Sequence, residues 1–161
     1  VHGRNGVCKV VDITHLDMSG VDKDQLYYAL VPMKSEDSKI FYPVDSDKVV
    51  MRSVVTKDQA KDLVSEIKDI EPMRIENDRQ REAKYKEALV SCDCKQLICI
   101  IKTMYARNKE RIAKGKRITY VDDRYLKEAK QNLNDEFSIA LGIEPREVEK
   151  YIKAQIVEQE A

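Results

Sequence analysis

The spacing of apolar and polar positions changes once along the chain, near Thr56. Before it, short β-branched and aromatic runs alternate with turn residues, and 6–13, 25–33, 39–44 and 48–55 read as strands. Val7, Val10 and Ile13 give the first run mixed facing, and Leu26 to Val31 is continuously apolar. The segment 18–22 is a turn in which Gly20 is free to take a positive φ. Pro43 limits ladder bonding and marks a strand end or edge. After Thr56 the period becomes helical. Thr56-Lys57-Asp58-Gln59 is a capping box, and the helix it opens over 57–69 places Ala60, Leu63, Val64 and Ile67 on one stripe before Pro72 stops it. A second helix starts at Asn77 and runs through Ala83, Ala88 and Leu89. Asp93 caps a third, with Leu97, Ile98, Ile101, Met104, Tyr105 and Ile112 as its stripe and Gly115 as terminator. Thr119 or Asp122 begins a fourth, which turns Leu126, Ala129, Leu133, Phe137 and Leu141 inward and ends at Gly142. Pro145 suits the first position of a fifth.

The expected fold is therefore α+β in two modules. A small antiparallel sheet or barrel spans 1–55, a connecting helix and linker span 56–72, and a helical module of the remaining helices spans 73–161. Composition supports a folded chain: 42% of the 161 residues are apolar and 36% charged, enough for long solvated helix faces. Formal net charge is zero, but it is unevenly placed. Residues 1–72 carry 10 Lys/Arg against 13 Asp/Glu, residues 73–161 carry 19 against 16, and Lys102 to Lys130 hold ten basic residues against four acidic ones. A local positive patch on a neutral protein fits a phosphate-backbone partner, or simply a solvated face. The sequence lacks a membrane-length apolar run and a signal-peptide pattern at its start. Four cysteines without framework spacing fit a reducing cytoplasm.

Catalytic chemistry has little to build on. The five glycines are scattered, so a phosphate loop is absent, and His2 and His15 lie in the β module without a nucleophile motif beside them. Cys92 and Cys94, even with Cys8 and Cys99, lack the two spaced pairs of a zinc site and read as buried small apolar residues. Neither a cofactor nor a small-molecule substrate is implied. The binding signals are of two kinds. Arg107, Arg111, Lys114, Lys116 and Arg117, followed by Arg124 and Lys127, gather at the tip of a helical hairpin and suit phosphate contacts with little base readout. Arg79, Arg81 and Lys84 form a weaker group, interleaved with acids at pairing distance. On the β module, Lys39-Ile40-Phe41-Tyr42, together with Leu16, are candidates for a protein partner, the alternative being the core of a very small barrel.

Taken in order, several segments resemble the CarD/CdnL family of bacterial transcription regulators, whose N-terminal module is shared with the transcription-repair coupling factor. They are His2-Gly3-Arg4-Asn5-Gly6-Val7-Cys8, Tyr27-Tyr28-Ala29-Leu30, Ile40-Phe41-Tyr42-Pro43-Val44-Asp45 and Val50-Met51-Arg52-Ser53-Val54. Residues 81–93, 100–107 and 125–129 continue the likeness. The resemblance implies a Tudor-like (SH3-like) barrel followed by about five helices, and no enzyme. It implies docking on the RNA polymerase β subunit through the β module, contact of the helices with double-stranded promoter DNA, and modulation of open-complex stability. Two features depart from the family pattern. Its first strand, with Gly-Asp and a Val-Val-Tyr run, is missing here, leaving the barrel one strand short. Its Trp wedge is also missing, and the matching position falls at about Asp78. The competing expectation is a protein-only adaptor that does not bind DNA.

Overall fold

A computed structural model describes residues 1–158. Three antiparallel strands, β1 (Cys8–His15), β2 (Leu26–Pro32) and β3 (Ile40–Pro43), form a sheet in the order β1-β2-β3. Five helices follow: α1 (Lys57–Glu66), α2 (Arg81–Val90), α3 (Cys94–Ala113), α4 (Tyr120–Leu141) and α5 (Pro145–Glu158). This is the expected α+β layout in two modules.

The helix limits follow from local chemistry. The Thr56 hydroxyl accepts from the Gln59 amide while the Gln59 side chain accepts from the Thr56 amide, which closes the capping box. Asp93 and Thr119 cap α3 and α4 by accepting from Lys95 N and Asp122 N. At the other end of α3, Gly115 takes φ +68°. Lys116 N then bonds Arg111 O at 2.8 Å and Gly115 N bonds Ile112 O at 2.9 Å. These two bonds satisfy the carbonyls that the helix end would otherwise orphan.

The core lies among the helices. Tyr85, Leu89, Ile98, Ile100, Met104, Tyr125, Leu133 and Phe137 are buried together, and α1 adds Ala60 and Val64. Tyr105 and Ile112, expected on the inward stripe of α3, emerge into solvent. The same stretch of α3 packs through its other face, where Asn108 is buried and Arg107 pairs with Asp78.

The 48–55 segment differs from expectation. It is not a strand: Met51 alone forms an isolated bridge, with His2. Its backbone bonds run mostly to the N-terminal residues, Arg52 N to Val1 O and Gly3 N to Val50 O, while the Arg52 side chain and Val55 N turn to the helices. The Arg52 guanidinium meets the Glu136 carboxylate of α4 in a two-pronged pair, Nη1–Oε1 2.5 Å and Nη2–Oε2 3.0 Å. Arg52 Nε also donates to Cys92 O, and Val55 N donates to Glu136 Oε1 at 3.0 Å. Among the described residues the sheet is open, with β1 and β3 as edges, in keeping with the expected small sheet or barrel lacking its first strand.

Two more contacts fix the modules together. Arg4 pairs with Glu128 of α4 at 2.8 and 2.9 Å, and this cation holds the Glu128 carboxyl below its usual range. Gly6, at φ +71°, lies so close to α4 that an added Cβ would sit 2.7 Å from Asn132 Oδ1. A side chain is excluded there by conformation and by space.

Glu136 has a side chain only 2% exposed, so removing Arg52 strands a buried carboxylate. Arg52→Met is expected to lower the unfolding free energy by about 3 kcal/mol. Urea unfolding of the two proteins measures it, and coincident curves would show that the pair does not hold the modules.

Candidate protein- and nucleic-acid-binding surfaces

The β module offers its edges. Register pairs Tyr28 with Tyr42, and Ala29 with Phe41, so Phe41 and Tyr42 face opposite sides. Tyr42 is buried, its ring edge-on to His2, and its hydroxyl donates to Ser46 O and accepts from Val49 N. It is a packing residue and leaves the expected contact set. Phe41 is 40% exposed and Lys39 is solvated, whereas Leu16 and Ile40 are half-buried. On the other edge, β1 exposes Val10, Val11 and Ile13 beside a bulge between Val10 and Asp12. An apolar, unpaired edge of this kind is a template for a further strand.

The basic residues separate into two groups once their partners are known. Asp122, wholly buried at the start of α4, accepts from Arg81 Nε at 3.2 Å and from the Tyr85 hydroxyl at 3.3 Å. Burial first, and the Asp122 carboxylate second, push the Tyr85 phenol well above its ordinary value. Arg107 lies 3.8 Å from the other Asp122 oxygen and pairs with Asp78 at 2.7 Å, while Arg81 also reaches Asp78. Arg81 and Arg107 are thus internal counterions, spent in neutralising two acids, although both were expected to face phosphate. Lys84 donates to Arg74 O. Arg124 pairs with Glu82, Lys127 with Asp123 and Lys114 with Glu110.

Lys116, Arg117 and Arg79 are exposed and, among the described residues, have no side-chain ion pair. Arg111 spends only Nε, on Arg117 O at 2.9 Å, which fixes the loop against α3. Of the expected phosphate contacts, Lys116 and Arg117 therefore carry unspent charge at the α3–α4 tip, on a backbone held by the helix-end bonds at Gly115.

Asp122 and Glu136 are on one stripe of α4 with Tyr125, Ala129 and Leu133. An acid at an apolar position demands a buried cation, a signal that could have assigned Arg52 and Arg81 in advance.

The cysteines belong to the joint between modules. Cys94 Sγ donates to Glu136 Oε2 at 3.3 Å and accepts from Arg52 Nη2. Burial, and then Glu136, push its thiol up to about 12. Cys92 ends α2 at φ +57°, unusual for a side-chain-bearing residue, and turns its sulfur toward Gly3 O and Val50 O. Among the described residues, no group of three or more His, Cys, Asp or Glu is placed to hold a metal. No helix among them is long and apolar enough to cross a membrane.

The class of protein is defined by a small sheet with open edges joined to a helical bundle. The sequence places it more narrowly. Residues 1–55 match the family described as the CarD-like/TRCF RID domain, so the N-terminal module is a CarD-like RNA polymerase-interacting domain. No curated protein matches the chain.

A thiol at about 12 is ionised at pH 8 only to the order of 1 part in 10⁴. A disulfide-exchange reagent at pH 8 is expected to modify the half-buried Cys8 and Cys99 in the folded protein, and Cys92 and Cys94 only after denaturation. Mass spectrometry of the labelled peptides reads this, and rapid native labelling of Cys94 would contradict the buried-thiol assignment.

Proposed function

We propose that this chain is a non-enzymatic transcription regulator of the cytoplasm that docks on the RNA polymerase β subunit and contacts promoter DNA. The observation that carries the reading is the RID match over residues 1–55. The β module, residues 1–55, is the polymerase-binding unit; residues 73–161 bind DNA, with 56–72 between them. Strand addition at an open sheet edge is the docking mode that the exposed backbone supports, with Phe41 and Lys39 giving selectivity at β3. On the helical side, Lys116, Arg117, Arg111 and Arg79 are the phosphate contacts, and Arg124, Lys127, Lys114 and Lys84 join only by exchanging an internal partner. Each weak contact raises the effective concentration of the other, which is avidity. A DNA contact stronger in the melted promoter than in the duplex shifts melting by that difference, which alters open-complex stability and initiation.

A second reading is favoured by the number of cations already paired. If Arg81, Arg107, Arg124, Lys127 and Lys114 are all satisfied internally, the helices serve a protein partner and DNA is not bound.

Two measurements on the full chain decide. Phe41→Glu is expected to weaken capture of RNA polymerase about 10-fold or more, because exposed aromatics anchor interfaces. Unchanged capture by a folded variant removes β3 from the docking face. For DNA, log affinity falls with log salt by about 0.9 per neutralised phosphate, so Lys116→Ala with Arg117→Ala is expected to flatten that slope by roughly two. An unaltered slope assigns the tip to solvent and favours the protein-only adaptor.

A further inference from the structure

A row of alternating cations and rings runs across the molecule from the β module to the hairpin tip. It starts at Arg4, in the loop before β1, whose guanidinium lies 5.8 Å from the Tyr125 ring centre. Arg124 lies 4.7 Å from the same ring, and 5.9 Å from the ring of Tyr120 one turn earlier on α4. The inner members are held in place. Arg4 is paired with Glu128, Tyr125 is buried with its hydroxyl on Glu82, and Arg124 is paired with that same Glu82. The outer member is not covered. Tyr120 is 75% exposed, the most exposed of the large apolar side chains, and Ile118, two residues before it, is exposed as well.

Burial does not explain this ring, and its hydroxyl makes no hydrogen bond among the described residues. Its position is nevertheless defined. Thr119 caps the helix on which Tyr120 is the first residue, and the loop before it is pinned by Arg111 to Arg117 O. Within three residues along the chain lies Arg117, next to Lys116, both with unspent charge. An oriented aromatic face beside unpaired cations matches a flat ring carried on a polyanion, and charge complementarity disfavours an apolar protein segment.

We propose that Tyr120 is a stacking platform for an unpaired nucleobase, continuing the Arg4–Tyr125–Arg124 row by one more ring, while Lys116 and Arg117 hold the adjoining phosphates. The inference rests on the DNA-binding reading above and adds to it a preference for melted over duplex DNA. Stacking needs a base outside the helix, so the duplex engages the cations alone and the fork engages cations and ring. Arg124, held by Glu82 and the Tyr125 ring, is already in place behind Tyr120 when the base arrives.

The test uses the full chain and two synthetic DNAs, a duplex and a fork with 2-aminopurine at its first unpaired position. Wild-type protein is expected to favour the fork and change the 2-aminopurine fluorescence. Tyr120→Ala is expected to lower fork affinity about 10-fold and abolish the fluorescence change while duplex affinity moves less than about twofold. Tyr120→Phe, which keeps the ring, is expected to retain both signals, and thermal unfolding of both variants should match wild type because the side chain is exposed. Equal losses on fork and duplex, or none on either, overturn the platform. If wild type binds both DNAs with a steep salt slope and Tyr120→Ala behaves identically, the stacking inference fails and the DNA-binding reading stands. If wild type binds neither DNA, both fail together.

Discussion

The buried pair between Arg52 and Glu136 organises the molecule. Glu136 sits on the apolar stripe of α4, where a carboxylate is tolerable only with its charge met and its lone pairs filled. The protein fills them with four donors, two from the Arg52 guanidinium, one from the Val55 amide and one from the Cys94 thiol. Three of them come from the residues after the sheet and the fourth from the start of α3. The residues after the sheet, the start of α3 and the C-terminal part of α4 are therefore drawn to one point. Segment 48–55 keeps only a bridge to His2 and backbone bonds to Val1 and Gly3 in place of a strand.

A second buried carboxylate works in the same way at the other end of the bundle. Asp122 gathers Arg81 from α2, Arg107 from α3 and the Tyr85 hydroxyl around the start of α4. Both acids are on the longest helix, about two-thirds of its length apart, so α4 is the post to which the other elements are tied. Glu128, between them on α4, takes Arg4 from the β module. The apolar core fills the bundle, and these three carboxylates fix which elements meet.

The helices were legible because their ends carry chemistry that acts locally: the capping box at Thr56, the caps at Asp93 and Thr119, and the glycines at 115 and 142. The first three strands were legible from β-branched runs and turns. What failed was non-local. Val49 to Val55 has the composition of a strand, but its fate is set by a carboxylate more than eighty positions away, which no local window contains. The basic site failed in part for a related reason. Charge counting saw Arg81 and Arg107 as surface cations, and only the fold shows that Asp78 and Asp122 consume them. Lys116 and Arg117 were correctly placed at a hairpin tip, because a loop between two strong helices has few places to go. Tyr120 went unnoticed: an aromatic at a helix start reads as a core residue until the fold leaves it outside.

Gly6 has one further consequence. With its positive φ and Asn132 pressed against the place where a side chain would be, the seam between sheet and bundle has no slack. The close approach is a constraint on sequence: any residue but glycine at this position would have to push α4 away from the sheet, and the ion pairs of Arg4 and Arg52 would lengthen with it.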